Sequence, residues 1–184
     1  MAMESLRDVL RERKRWSAYL LTFDSSEAFG AFLVIENDEG LDDASYWRIL
    51  GDAWTASDAI AANEDEWRRL FSSDRPGREN LTREPDRAVL AELPDEVTVY
   101  RGHSHDGGER GLAWTLSRES AEIFARQFAT STDMGHPPGD PRVATAVVPR
   151  EAIIAMHQHR RPCDVVILDL PDEIQVEKLE DPAA

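Results

Sequence analysis

The sequence predicts an α+β protein in which helices come first and strands follow. Two observations support this class. Apolar residues recur at helical spacing up to Pro94, and short β-runs with one helical stretch fill the rest of the chain. A chain of 184 residues can form a small helical subdomain packed on a mixed β core. We therefore predict a helical N-terminal subdomain over residues 1–94 and a β-rich domain over residues 95–184.

The first 40 residues contain two helical segments and a turn. Residues 4–15 alternate acids and bases at helical spacing, which predicts an exposed helix. The stretch 16–35 is apolar, and its period does not separate helix from strand, but we interpret it as helical. Asn37-Asp38-Glu39-Gly40 is a turn signal that ends this region.

Tryptophan-bearing helices follow. Within residues 43–55 one buried helix face is predicted by apolar side chains at i, i+3 and i+7, namely Trp47, Leu50 and Trp54. Asn63, with Glu66 three positions on, has the pattern of a helix cap. The helix that it starts would bury Trp67, Leu70 and Phe71 and end at Arg75-Pro76-Gly77. Residues 85–93 form another short helical segment.

The second half predicts strands around one helix. Residues 97–100, 112–115 and 143–148 are β-runs, and residues 164–170 are apolar enough for a central strand. Ser117 can cap a helix with an apolar face formed by Ala121, Phe124, Ala125 and Phe128. Residues 131–142 predict a loop long enough to cover a site, and residues 149–155 a short turn or helix.

Composition limits the classes of partner. The net charge is −15 with acid spread over both halves, and such a surface disfavours extended binding along a nucleic-acid backbone. Cys163 is the one cysteine, so no intrachain disulfide is possible and an oxidising compartment is not implied. Residues 1–15 lack the apolar core of a secretory signal, and no apolar run approaches membrane-spanning length. We expect a cytoplasmic protein with no membrane partner.

Arg101 is the first candidate site residue. The β-run Val97–Tyr100 delivers it to a strand end beside Gly102. A buried arginine costs desolvation unless an anion or a carboxylate meets it, which points to a phosphate-bearing ligand. The alternative is a structural arginine paired with an acid such as Glu96 or Asp164.

The segments around Arg101 also resemble a family. Tyr100-Arg101-Gly102, and Trp114-Thr115-Leu116-Ser117 running into Ala121–Ala125, resemble bacterial and phage proteins with the ADP-ribosyltransferase fold. The match covers roughly residues 95–170, with looser similarity over residues 46–87. In that fold a strand arginine holds the phosphates and ribose of NAD, a Ser-Thr-Ser-like strand follows, and a late strand supplies the catalytic glutamate.

The resemblance implies a site for NAD as substrate. Arg101 and Asp164 are the implied catalytic residues, with Asp164 in the place of the family glutamate. The implied NAD-binding residues are Arg101, Gly102, Trp114, Thr115, Ser117 and Phe124. The chemistry needs a carboxylate near the ribose, because an oxocarbenium-like transition state develops positive charge, and fixed donors on the pyrophosphate.

Several of these residues have structural alternatives. Trp114 on a strand is typical of a core residue, and Ser117 of a helix cap. Asp164 could be an ordinary strand-start acid or the partner of Arg160 or Arg161. The chain also departs from the family pattern, since Ala113 stands where the leading serine is expected and Pro162 where the first glutamate is expected.

Three functions follow as expectations. The first is transfer of ADP-ribose from NAD to an unidentified acceptor, such as a host protein or a small molecule, or hydrolysis of NAD. The second is a binding module of the same fold without turnover. The third is a metal-dependent β-barrel enzyme, because His103-x-His105 with Glu109 resembles part of the first cupin motif. The rest of that motif is absent, and we expect exposed histidines and no metal.

Overall fold

A computed structural model describes residues 5–58, 60–130, 139–158 and 164–180. It confirms the mixed α+β class: of the described residues 48% are helical and 20% lie in strands, which form one antiparallel six-stranded sheet. Within the described residues the helices are α1 Leu6–Glu12, α2 Trp16–Leu20, α3 Ala28–Ile35, α4 Asp43–Ala56, α5 Glu64–Phe71, α6 Glu84–Glu92 and α7 Arg118–Thr130. The strands are β1 Glu96–His103, β2 Ala113–Thr115, β3 Arg142–Pro149, β4 Ile153–His157, β5 Asp164–Ile167 and β6 Gln175–Lys178.

The chain divides into two compact units. One comprises Met1–Ala59 with Asp74–Leu81, and the other comprises Ile60–Ser73 with Thr82–Ala184. Helices α5 and α6 therefore belong to the same unit as the sheet.

The first unit is built from α1 to α4, as the sequence predicts for this region. Ser5 and Asp8 form a reciprocal capping box at the start of α1. The Asp42 side chain caps α4 by accepting from the Ser45 backbone N–H at 2.9 Å. The predicted apolar face of α4 is confirmed, because Trp47, Leu50 and Trp54 are fully buried.

Helix α5 begins one residue after the predicted cap and buries the three predicted side chains. Asn63 itself makes no side-chain capping bond, so that detail of the prediction is wrong. The reason is local: a 3-10 turn over Ala61–Asn63 leads into the helix, and Asn63 lacks the extended backbone that a capping side chain needs.

The sheet has the strand order β4-β5-β2-β1-β3-β6 and is open, with β4 and β6 at its edges within the described residues. Strand β5 is interior, as predicted from its apolar sequence. One face packs around an apolar cluster of Val97, Val99, Trp114, Ala144, Ala146, Val148, Ile153, Met156, Val165 and Ile167. Helix α7 packs on the other face through Ala121 and Ala125, which are fully buried.

The sequence analysis did not predict two of the strands, β4 and β6. The turn or helix predicted to run through Ala155 is only a 3-10 turn over Arg150–Ala152, and β4 starts at Ile153. Pairing with β5 decides the conformation there, because Ala155 and Met156 have no strong β preference of their own. Strand β6 is exposed along its length and lacks the apolar alternation that a sequence pattern can detect.

Candidate functional site

The three strands that the resemblance singles out are consecutive neighbours in the sheet, in the order β5-β2-β1. Their pairing is uneven. Strands β1 and β3 are in register over Glu96–His103, whereas β1 and β2 are paired at the single position Tyr100 with Thr115. The β1/β2 junction is thus only briefly closed, immediately beside Arg101.

The guanidinium of Arg101 is buried and bonds backbone carbonyls of its own unit. Arg101 is 9% exposed. Its Nε donates to the Gly108 carbonyl at 2.7 Å, and its Nη1 donates to the Ala113 carbonyl at 2.6 Å. Both of these hydrogen bonds go to backbone carbonyls, whereas the structural alternative expected an acid as the partner.

Negative charges at a distance offset part of the cost of burying the positive charge of Arg101. Burial lowers the pKa of the Arg101 guanidinium, and the negative charges of Glu64, Asp164 and Glu109 act in the opposite direction. An arginine stays protonated even so, because the ordinary pKa of its guanidinium is far above neutrality. The sheet unit therefore holds a buried positive charge near the β1/β2 junction.

A cavity of about 170 Å³ lies beside this guanidinium. Its polar lining includes Arg101, Arg110, His105 and Glu64, and the rest is mainly glycine from the turn 107–111. Pockets for drug-sized ligands span about 300–1,000 Å³. The cavity has room for one phosphate-sized group and not for a whole dinucleotide.

The guanidinium depends on a glycine for its space. A Cβ added to Gly111 would overlap the Arg101 guanidinium, so the backbone approaches that group more closely than any other residue would allow. Gly107 has φ +83°, the left-handed conformation that glycine adopts without strain. This turn is built around the arginine.

His103 contradicts the expectation of an exposed histidine. Strand β1 extends through residue 103, and alternation places its side chain on the buried face with Val97 and Val99. The Nδ1 atom lies 2.9 Å from the His105 carbonyl oxygen, and Nε2 is buried with no hydrogen-bond partner among the described residues. Burial is the main cause that lowers the pKa of His103, and the charge of Arg101 adds to it.

Acid should therefore destabilise the fold through His103. The unfolded chain keeps a pKa near the ordinary 6.5, while the folded pKa is lower, so the unfolded state binds the proton first. The stability that the neutral, buried His103 contributes to the fold is fully present above pH 6.5 and is lost as the pH falls through that value towards the folded pKa.

Urea unfolding at several pH values between about 7.5 and 5.5 tests this expectation. The wild type should lose more stability over that range than His103→Gln does. The carboxylates of Asp8, Asp24, Asp42, Asp106 and Asp140, each with a pKa below the ordinary 3.8, do not titrate there. Equal slopes for the two proteins would contradict the assignment.

The other face of the sheet holds a row of polar side chains. Antiparallel register sets Tyr100 opposite Thr115, Thr115 opposite Asp164, and Asp164 opposite His157. Thr115 is buried, and its Oγ1 accepts from the Ser117 backbone N–H at 3.2 Å. Asp164 is half-buried and His157 is buried. The row therefore combines hydroxyl, carboxylate and imidazole groups.

The sheet brings Thr115 and Asp164 together and sets Arg101 apart from them. Since Tyr100 pairs with Thr115, alternation places Arg101 on the face of Trp114, opposite to that of Thr115 and Asp164. The guanidinium still reaches the strand junction, because it bonds the Ala113 carbonyl of β2. A ligand that used all three side chains would have to meet them at this junction.

Two of the remaining predicted site residues have a clear structural role. The indole of Trp114 is 2% exposed, packs in the apolar cluster and donates from Nε1 to the Gly111 carbonyl at 2.8 Å. It offers no ring face to a cofactor, so the core alternative describes it. Ser117 caps α7, as predicted, with its Oγ accepting from the Ser120 backbone N–H at 3.2 Å.

Gly102 and Phe124 lie where β1 meets α7. A Cβ on Gly102 would overlap the Ala121 carbonyl oxygen and come within 3.0 Å of the Phe124 Cβ. The ring of Phe124 stacks on Phe128, with centroids 5.7 Å apart. Both residues serve the packing of the helix on the strand.

Part of the predicted chemistry falls on residues that the structure does not describe. The residues concerned are most of the predicted loop 131–142, with His136, and the stretch His159, Arg160, Arg161, Pro162 and Cys163. Within the described ranges no group of three or more histidine, cysteine or acidic side chains is arranged to hold a metal ion. No helix in those ranges is both long and apolar enough to cross a bilayer.

His157 and Tyr100 are members of the polar row that the sequence interpretation did not use. The β-branched pair Ile153 and Ile154 was the available signal for the strand that ends at His157. Their alignment with Asp164 and Thr115 depends on register, which no local pattern reveals.

Comparison with protein-family models, with curated proteins and with solved structures finds no match for this chain. The function is therefore argued from the chemistry of the site.

Proposed function

We propose that this chain binds NAD and transfers its ADP-ribose group, in the manner of the proteins with the ADP-ribosyltransferase fold that it resembles. The observation that supports this most is the register of Thr115 with Asp164, on β2 next to the strand that bears Arg101 and on β5 one strand further. A hydroxyl that could bind ribose and a carboxylate thus share one face of the sheet, while the buried Arg101 lies on the strand next to Thr115 with its side chain on the opposite face.

The proposed roles follow from the reaction. The bond between ribose C1′ and the nicotinamide nitrogen breaks, and its electron pair leaves with nicotinamide. The half-buried Asp164 carboxylate stabilises the positive charge that develops on the ribose, and Thr115 holds the sugar. A bond then forms from C1′ to the acceptor, which releases a proton. The acceptor is a macromolecule, a small molecule or water.

Arg101 would bind a phosphate of NAD with the guanidinium donors that do not bond the carbonyls of Gly108 and Ala113. Nε and one N–H of Nη1 are engaged by Gly108 and Ala113, and a guanidinium has five N–H donors. The adjoining cavity of about 170 Å³ has room for one phosphate group. The rest of the dinucleotide would then lie outside this cavity, along the β1/β2 junction.

Nicotinamide release from NAD tests the proposal. We expect Asp164→Asn to lower the rate by about 100-fold or more, because it removes the charge while keeping the size of the side chain. Asp169→Asn is the matched control, since Asp169 lies on the same segment and is exposed. Release that falls equally in both variants, or in neither, would contradict a catalytic Asp164.

A second candidate is a binding module of the same fold without turnover. The hydrogen bonds from Arg101 to the carbonyls of Gly108 and Ala113 favour it, because they give the guanidinium a structural role that needs no ligand. Calorimetric titration with NAD separates the candidates. Binding with no nicotinamide release would support the module, and release that requires Asp164 would support the enzyme.

A further inference from the structure

His157 lies at the end of β4, opposite the start of β5. It is the last residue of β4, and its register partner is Asp164, the first residue of β5. Only 2% of His157 is exposed. A buried imidazole therefore stands directly across the ladder from the carboxylate to which we assign the chemistry.

Register partners in an antiparallel pair present their side chains on the same face, with Cβ atoms about 4.5–5.5 Å apart. An imidazole ring and a carboxylate at that spacing are within reach of a hydrogen bond. Burying a polar group costs free energy unless it is hydrogen-bonded, and since Nε2 of His157 has no partner among the described residues, a bond to Asp164 would come from Nδ1. On the far side of Asp164 the register partner is Thr115. The carboxylate is thus flanked by a hydroxyl and an imidazole.

We propose that His157 is a positioning residue that donates a ring N–H to Asp164 and fixes the orientation and ionisation of its carboxylate. The role in turnover rests on the proposed function, whereas the pairing of the two side chains does not and is measurable without NAD. Thr115, Asp164 and His157 would then act as one unit across three strands.

One other carboxylate comes close to this end of β4. Asp86 on α6 accepts from the backbone N–H of Gln158 at 3.3 Å, and the Thr82 hydroxyl accepts from that of Met156 at 3.0 Å. Asp86 is therefore another acidic group whose charge could reach the His157 ring, and its contribution has to be separated from that of Asp164.

A pH titration of the histidine ring resonances by NMR tests the pairing. His157→Gln identifies the His157 signal by its loss. Removing a neighbouring negative charge lowers the pKa of a histidine, so in Asp164→Asn we expect the midpoint of the His157 ring to fall by about one unit. Asp169→Asn should leave it unchanged, and Asp86→Asn should move it less than Asp164→Asn does. An unchanged midpoint in Asp164→Asn would overturn the inference.

The pH profile of nicotinamide release tests the positioning role. In His157→Gln the acidic limb of the profile should lie at higher pH than in the wild type, because Asp164 has lost a group that favours its charged form. If the midpoint shifts in Asp164→Asn but the wild-type protein releases no nicotinamide, the pairing is supported and the proposed function is contradicted. Release with an unchanged acidic limb in His157→Gln would overturn the positioning role.

Discussion

Gly102→Ala is expected to lower the free energy of unfolding by about 3 kcal/mol, the upper part of the range for overpacking a closely packed site. The new Cβ would overlap the Ala121 carbonyl oxygen and press on the Ala125 backbone nitrogen. Both are backbone atoms of α7, so no rotamer change can relieve the overlap. The helix would have to move away from β1, which opens the packing around Ala121, Ala125 and Val143.

Urea unfolding of Gly102→Ala measures this effect. Gly30→Ala is the control, because a Cβ at Gly30 meets no atom within 4 Å and the residue lies in helix α3. Alanine should raise helix stability there by roughly 0.5–1 kcal/mol. A Gly102→Ala protein as stable as the wild type would show that α7 does not need its close approach to the strand.

Arg101→Met is expected to destabilise the protein by about 3 kcal/mol or more. Each hydrogen bond from a charged donor contributes about 1.5–3 kcal/mol, and the substitution removes two of them. The carbonyl oxygens of Gly108 and Ala113 lose their donor in a buried environment. Methionine fills similar apolar volume, so the loss is attributable to the guanidinium.

Arg110→Met provides the comparison for this prediction. Arg110 also donates to backbone carbonyls, those of Pro171 and Asp172 at 3.4 and 3.2 Å, but it is exposed. Its loss should cost under about 1 kcal/mol, since water can satisfy the same carbonyls. Equal effects of the two substitutions in urea unfolding would contradict a structural role for Arg101. If Arg101→Met does unfold readily, its loss of activity says nothing about NAD, which is why Asp164 is the better test of function.

Much of the helical half follows from the sequence. The tryptophans of α4 and α5 fall on one helix face each, and a period of 3.6 can be detected within a single segment. The strand of Arg101 and the helix capped by Ser117 were predictable for the same reason, because alternation and capping are local signals.

The site was less predictable because it depends on register. That Thr115 shares a face with Asp164, and Arg101 with Trp114, follows only from the pairing of Tyr100 with Thr115 and of Thr115 with Asp164. A shift of one residue would exchange the two faces. The burial of His103 likewise depends on β1 running three residues beyond its apolar pattern, into residues whose pairing with β3 is non-local.

The outer edge of β4 has a consequence for how copies of this protein meet one another. An edge strand with unbonded N–H groups can recruit a strand from another molecule, which is a common start of aggregation. In β4 the N–H of Met156, and just beyond it that of Gln158, already bond Thr82 and Asp86 of the same chain. A strand from another molecule would have to displace both acceptors before it could pair with β4. The side chains of Thr82 and Asp86 therefore protect this edge against the addition of another strand.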